Sequence, residues 1–476
     1  MSLSLLSNEL LSEIITYLDT ALTSISLCSR QLHFITEPIL YSNIHLNHPK
    51  SYTRFLRTII AKPYLVGYVR HFRTKGHPYG WDYDLSFLTA EDQKWIRSQM
   101  SIAMHGKAAC GKWFKMMFFK PNVNWTEVPM YWDAITAFLL TIFAPTIQTI
   151  RMDSYGSSFN HHPYIEYNYI NMILNASNPA GSFQFQKLKE VTIKPSKVEL
   201  IIPYLQIPSV TKFQASNLTL KHDLPKLAFN TTDLTLTGCR LLSRELMSLL
   251  SCFGSLRRLM YQDDGSGIFA LVASHLRRGL GNSKGTLEEL VLLQEEGEND
   301  RWSGDEGFLS SDGSGFATGS GSGSGSEPVE HRVLGSLQTF QKLKKLHVES
   351  KFLLPTKSWR NSSKAPYIYS NQDCLALADS FPPSLEHLTI NISPSIYSEL
   401  SELIATGIAM SCTPKLKSFR MSFRHSFAWN VKPMQVLVCR LENLREMMGE
   451  KGVEVTWNCM CEPLTPFGCY RDLIDL

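Results

Sequence analysis

This chain of 476 residues has no apolar run long enough to cross a bilayer. Its longest strongly apolar stretch, near residues 134–145, falls well short of the roughly 20 residues a membrane helix needs. No positively charged leader precedes the first apolar residues, and Glu9 and Glu13 interrupt them. That pattern does not read as a secretory signal, and none is expected. Excess charge of one sign is lacking too. Lys and Arg number 47 against 43 Asp and Glu, a net +4. Bulk attraction to nucleic acid or to a membrane surface is therefore not expected. The ten cysteines are scattered along the chain, which is no disulfide framework. The expected compartment is cytoplasmic and/or nuclear, and the sequons Asn124-Trp125-Thr126 and Asn217-Leu218-Thr219 are chance matches.

Catalytic signatures are missing as well. There is no phosphate-cradling Gly-Lys-Ser/Thr loop and no His-Glu-x-x-His helix. Strings such as Gly313-Ser314-Gly315 sit in a Gly/Ser tract, without the strand and helix of a nucleophile elbow. Cys459, Cys461 and Cys469 form the one cysteine cluster. Their spacing falls short of the four ligands of a zinc site, so buried thiols are the expectation. His161-His162 reads as a solvated turn beside Pro163. The chain is expected to be no enzyme and to carry no cofactor and no metal.

What is present is a repeat. The pattern apolar-x-x-apolar-x-apolar occurs as Ile147-Ile150-Met152, Leu188-Val191-Ile193 and Val210-Phe213-Ala215. It returns around Leu234-Leu236, and as Leu256-Leu259-Tyr261, Leu287-Leu290-Leu292 and Leu343-Leu346-Val348. Leu385-Leu388-Ile390 and Leu416-Phe419-Met421 follow, with Val453-Val455-Trp457 as a degenerate last copy. Some copies lie about 21–25 residues apart and others about 30–56. The long gaps hold helical patterns over 242–253, 269–279, 373–381 and 398–411. The pattern resembles the leucine-rich repeat, one strand plus a return segment per unit. Residues 231–239 (TTDLTLTGC) are the best single copy, with a cysteine where that family often carries Asn or Cys. No such unit buries its apolar face alone, so the copies are expected to stack. Pro225, Pro383 and Pro414 sit shortly before repeat strands and end the preceding segments.

Two regions stand outside the repeat. A short strand over 41–46 leads into residues 47–132, which read as a connector and an aromatic-rich insertion, with a helix over 51–61, a strand over 69–72 and helix near 90–104. Trp81, Trp95, Trp113, Trp125 and Trp132 are expected to pack against the following domain. Residues 313–326 are almost purely Gly and Ser and follow an acidic run over 295–306. Such a tract has little to bury, so a disordered loop is expected over about 294–328.

The first 46 residues carry three short amphipathic helical patterns. Leu10, Leu11, Ile14, Ile15 and Leu18 make one stripe, with Ser7 as N-cap and Glu9 in the first turn. Leu22, Ile25 and Cys28 make a second. Ser29 opens a third helix with Leu32 and Ile35, which Pro38 is expected to end. The order Leu6-Ser7-Asn8-Glu9-Leu10-Leu11, Ile14-Ile15, Tyr17-Leu18-Asp19, Leu27-Cys28-Ser29-Arg30 and Glu37-Pro38-Ile39-Leu40-Tyr41 resembles the F-box proteins, in the wording of their filamentous-fungal members. Ser7 stands where that family usually has proline.

The resemblance implies an α/β repeat protein: a three-helix F-box over 1–46, the connector over 47–132, and a leucine-rich-repeat-like solenoid over 133–476. It implies a substrate-recognition subunit of a Skp–cullin–F-box ubiquitin ligase, with the Skp-type adaptor and cullin ligase and a protein substrate as partners. No nucleic acid and no membrane are expected. The adaptor contacts would be Leu10, Leu11, Ile14, Ile15, Leu18, Leu27 and Leu32, an apolar helical face for a partner's groove. In a repeat stack the residues between the inward apolar positions face a substrate. These are Arg151, Asp153, Thr192, Lys194, Gln214, Thr235, Met260, Gln262, His347, Glu349, Thr389, Asn391, Arg420, Ser422 and Arg424. The C-terminal set from His347 to Arg424 is the leading candidate, because Arg420 and Arg424 on one strand suit an acidic or phosphorylated substrate. An F-box scaffold acting outside the ligase, and an enzyme with a site assembled from distant residues, are the alternatives.

Overall fold

The computed structural model describes residues 6–18, 21–75, 85, 87–103, 108–118, 128–153, 168–176, 185–194, 198–219, 224, 227–263, 273–294, 334, 336–353, 380–392, 413–424 and 431–460. The expectations for Trp81, Trp125, His161-His162, Cys461, Cys469, the Gly/Ser tract and the helix over 398–411 lie outside these residues. So does the one over 373–381, apart from its last two positions. The fold is α/β, open rather than closed, with twelve strands taken in chain order and parallel in every described pairing. The chain divides into two compact units, residues 1–221 with 228–233, and residues 222–227 with 234–476.

The first unit opens with three helices, α1 (Asn8–Thr16), α2 (Leu22–Cys28) and α3 (Arg30–Leu40). Ser7 caps α1, its hydroxyl accepting from the Leu10 N–H. Ser29 caps α3 in the same way through the Leu32 N–H at 3.1 Å. Leu11, Ile15 and Ile35 form the core of this bundle, with Leu6, Leu22, Ile25, Leu32 and Ile39 packed around it. Pro38 does not end α3, which runs on to Leu40. A proline removes one intrahelical bond. Here the helix closes beyond it through Tyr41 N–H to Glu37 C=O at 3.1 Å. The buried Glu37 carboxylate accepts from Lys62 Nζ at 3.2 Å and from the Tyr64 hydroxyl at 3.1 Å, which holds the bundle to the following turn.

Strands β1 (Asn43–Leu46), β2 (His71–Lys75), β3 (Thr149–Asp153), β4 (Glu190–Ile193) and β5 (Lys212–Ser216) follow in this unit. The two strands that the sequence places in the connector thus join the same parallel set as the repeats. Register matches Ile44 to Phe72, Phe72 to Ile150, Ile150 to Val191 and Val191 to Phe213, all buried. Between the strands lie α4 (Pro49–Ala61), α5 (Ala90–Ala103), α6 (Ala108–Phe118), α7 (Val128–Phe143), α8 (Asn168–Ala176) and the short α9 (Ile202–Leu205). The aromatic-rich region supplies core here. Trp113 and Trp132 are fully buried, Trp113 Nε1–H donates to Ala134 C=O at 2.9 Å, and Trp95 meets Phe138 edge-on at 6.0 Å. Each such side chain contributes on the order of 2–3 kcal/mol by burial.

The second unit begins within β6 (Asp233–Cys239) and continues with α10 (Ser243–Ser251), β7 (Arg258–Asp263), α11 (Ala273–Gly279) and β8 (Glu289–Gln294). It ends with β9 (Lys345–Glu349), α12 (Ser350–Leu353), β10 (His387–Ile392), β11 (Ser418–Arg424), α13 (Val431–Gly449) and β12 (Glu454–Met460). Equivalent pattern positions again fall opposite one another. Leu259, Leu290, Leu346, Leu388, Phe419 and Val455 form one buried row. The first apolar position of each copy is buried just before its strand, as at Leu256, Leu287, Leu343 and Leu385. Gly238, at the end of the best copy, has a φ of 59°, a conformation that costs glycine nothing and a branched residue much.

Candidate functional site

Two surfaces arise from these elements. The first lies on the N-terminal helices. Helix α1 is apolar on two sides, because Leu11 and Ile15 fall one position beyond Leu10 and Ile14 and turn into the bundle. Leu11 and Ile15 are each 2% exposed, whereas Leu10 is 50% and Ile14 41% exposed. Tyr17 and Leu18 continue the open side at the spacing of a second helical stripe, and Leu27 on α2 is 82% exposed. Leu32 is half-buried against the core. So of the expected adaptor contacts, Leu10, Ile14, Leu18 and Leu27 are on the surface, while Leu11 and Ile15 are occupied inside the bundle. Tyr17, and Phe34 on α3, are exposed apolar residues absent from the expected set. The signal for Tyr17 was its place seven residues after Leu10.

The second surface is the polar side of the strands, opposite the apolar rows. In the second unit, register sets His347, Thr389, Arg420 and Thr456 in one row and Glu349, Asn391, Ser422 and Asn458 in the next. The expected substrate residues are therefore brought together. Their side chains differ in availability. Glu349, Asn391 and Ser422 are buried, and Asn391 Oδ1 lies 3.0 Å from His347 Nε2, a bond along the sheet rather than a group offered outward. Arg420 is exposed, with Nε–H reaching Thr456 Oγ1 at 3.4 Å. Arg424 holds the last pairing position of β11, opposite Met460.

In the first unit the same side carries His45, Arg73 and Arg151 in one row, followed by Thr192 and Gln214. The buried Asp153 carboxylate accepts from Arg73 through Nε–H at 3.1 Å and Nη2–H at 2.9 Å, and from Arg151 Nε–H at 3.2 Å. Burial alone would raise the Asp153 pKa, but the Arg73 and Arg151 bonds outweigh it and hold the carboxyl below its ordinary value. Arg151 and Asp153 were legible as sheet-face residues. His45, Arg73 and Lys75 were not, because β1 and β2 were assigned to the connector. The signal was there: Tyr41-x-x-Ile44-x-Leu46 fits the repeat pattern, and Val69-x-x-Phe72-x-Thr74 departs from it only at the last position.

Among the described residues no helix is long and apolar enough to cross a membrane, and no group of three His, Cys, Asp or Glu side chains is placed to hold a metal ion. No protein-family model matches the chain, and a search of curated proteins finds no match.

Proposed function

We propose that this protein is a substrate-recognition subunit of a Skp–cullin–F-box ubiquitin ligase, non-catalytic and acting in the cytoplasm and/or nucleus. The observation that carries the reading is the set of exposed apolar side chains on the N-terminal bundle: Leu10 and Ile14 on α1, Tyr17 and Leu18 just after it, Leu27 on α2 and Phe34 on α3. A bundle this small has a core of its own in Leu11, Ile15 and Ile35, and large apolar side chains left outside it in such number mark a partner surface. An apolar helix face of this kind fills a groove on a partner, the mode that the F-box resemblance implies for a Skp-type adaptor. The parallel strands then read as an irregular leucine-rich-repeat-like solenoid whose polar side holds the protein substrate. Each repeated strand adds one more polar row to that side, which suits recognition of an extended partner.

The test is capture of a Skp-type adaptor and cullin by the full-length chain. Leu10→Asp together with Ile14→Asp is expected to abolish capture, a loss of at least roughly 100-fold for two desolvated anchors. The melting temperature should not move, because both side chains are outside the core. Capture that survives this pair of substitutions would sink the adaptor assignment.

A further inference from the structure

The polar side of β1–β5 gathers basic side chains that lie far apart in sequence. His45, Arg73 and Arg151 stand side by side in register, on neighbouring strands about 4.8 Å apart. The buried Asp153 fixes both guanidinium groups by three hydrogen bonds. Yet the two side chains keep 39% and 51% of their surface open. Among the described residues no other acceptor takes their remaining N–H groups. One carboxylate neutralises one of the two arginine charges, so the row stays positive. Lys75 lies beside Asp153 in register; the exposed Lys194, just past β4, extends the positive surface, and the exposed Lys212 on β5 offsets Glu190, its register partner on β4. The His45 imidazole senses these surroundings: burial lowers its pKa, Arg73, Lys75 and Arg151 lower it further, and Asp153 alone opposes them.

We propose that this face, centred on His45, Arg73 and Arg151, binds an acidic peptide segment that crosses the strands. The inference rests on the substrate-receptor reading above for one point, that the segment belongs to a protein substrate. Arginines held in place by a buried carboxylate and still partly open to solvent are suited to further carboxylates, which guanidinium groups bind by charge-assisted hydrogen bonds. The cations are spread over four strands rather than gathered at one point, which matches several negative charges in a row better than a single one. Nucleic acid is disfavoured by the same rows. Their other members are Asn43, His71, Thr149, Glu190, Thr192 and Gln214, with no Phe, Tyr or Trp on which bases would stack. The whole chain is also only +4.

Full-length protein titrated into a fluorescein-labelled peptide of alternating Glu and Gly, read by anisotropy, tests the proposal. Parallel arms use the Gln-for-Glu peptide, a phosphoserine-for-Glu peptide and a single-stranded RNA. The Glu peptide should bind and the Gln peptide should not, with affinity falling as salt rises. Arg73→Gln with Arg151→Gln should weaken binding at least roughly tenfold, while adaptor capture is unchanged. If that variant does not fold, Lys75→Gln with Lys194→Gln, outside the Asp153 ion pairs, should still weaken binding roughly threefold. Tighter binding of the phosphoserine peptide, equally sensitive to the arginine pair, supports the same site with phosphate as the anion. Undiminished Glu-peptide binding by a folded double variant overturns the proposal, as does RNA binding tighter than either peptide. A chain that binds the peptide through these arginines but captures no adaptor leaves this site standing and removes the ligase reading.

Discussion

Tyr52 shows how one buried hydroxyl joins parts of the first unit that are distant in sequence. It sits on α4, almost fully buried, and Trp132 Nε1–H of α7 donates to its oxygen at 2.8 Å. The same hydroxyl bonds Thr74 of β2. That bond explains why a threonine occupies an inward strand position where the repeat pattern asks for an apolar residue, and why the pattern failed to mark β2. Asp133 plays a comparable part. Fully buried on α7, it accepts from the backbone N–H groups of Tyr169 and Ile170, 2.6 and 3.2 Å away, and so caps α8 from another helix. Neither role is visible in sequence, because periodicity marks which residues are apolar and not which polar residues meet. Tyr52→Phe should cost about 1–3 kcal/mol at neutral pH, the penalty for leaving buried donors without acceptors. Its alkaline behaviour follows from linkage. Burial raises the Tyr52 pKa from 10.0 to about 12, against the smaller opposing effect of its hydrogen bonds. The folded state therefore keeps a proton that the unfolded chain gives up. This contribution is complete below pH 10 and is lost as pH rises from there towards 12. Denaturant midpoints measured across that range should fall more steeply for the native protein than for Tyr52→Phe. Equal slopes would refute the assignment.

At the scale of the element, α1 divides its apolar residues between two tasks. Leu11 and Ile15 hold the bundle, while Leu10 and Ile14, each one position earlier, stay open. The stripe read from sequence contained all four. Helical spacing alone does not separate them, since adjacent residues differ by about 100° around the helix and both sides are apolar. Packing against α3 makes the choice. The consequence is a contrast in stability. Leu11→Ala should destabilise the bundle by about 2–4 kcal/mol through the lost burial and the cavity left behind. Leu10→Ala should lie within about 0.5 kcal/mol of the native protein. Thermal unfolding of both variants checks the pair. Equal losses would mean that the exposed side is covered within the chain. The strands were more legible than the helices. From β3 to β12, each falls where a copy of the apolar pattern stands, because inward alternation with one extra buried residue before the strand is a strict geometric demand. Helix boundaries were looser, as Pro38 inside α3 shows.

At the scale of the whole molecule, parallel strands with one repeated apolar pattern present a problem of neighbour choice. Leu290 would pack against Leu388 as readily as against Leu346, so apolar matching alone does not specify order. From β7 to β11 the second unit carries a second code at the residue just before the strand: Arg257, Glu288, Lys344, Glu386 and Lys417, alternating in sign. The backbone joins these positions directly. The carbonyls of the first four each accept two successive N–H groups where the next strand starts, as Arg257 does from Glu288 and Glu289 at 2.8 and 3.0 Å, and Lys344 from Glu386 and His387 at 2.8 and 2.9 Å, while that of Lys417 accepts from Glu454 at 2.9 Å. Side chains follow, with Arg257 to Glu288 at 3.0 Å and Lys417 to Glu386 at 2.6 Å. A like charge in any of these places would face a like neighbour, which is unfavourable for directly opposed pairs. The alternation was present in the sequence but unreadable there, because the residues that meet are separated by whole return segments. It leads to an acid-side prediction. The Lys417 hydrogen bond lowers the Glu386 pKa below 4.5, with smaller help from Lys344 and His387. Its stabilising contribution is therefore present above 4.5 and is lost as pH falls through the lowered value. Lys417→Glu should lower the melting temperature at neutral pH and low salt, and adding Glu386→Lys should recover part of it by restoring the pair. High salt should shrink both effects, because the groups are exposed to solvent. Melting curves of the two single variants and the double variant form a closed cycle. Strictly additive shifts at low salt would show that the charge order has no part in choosing neighbours.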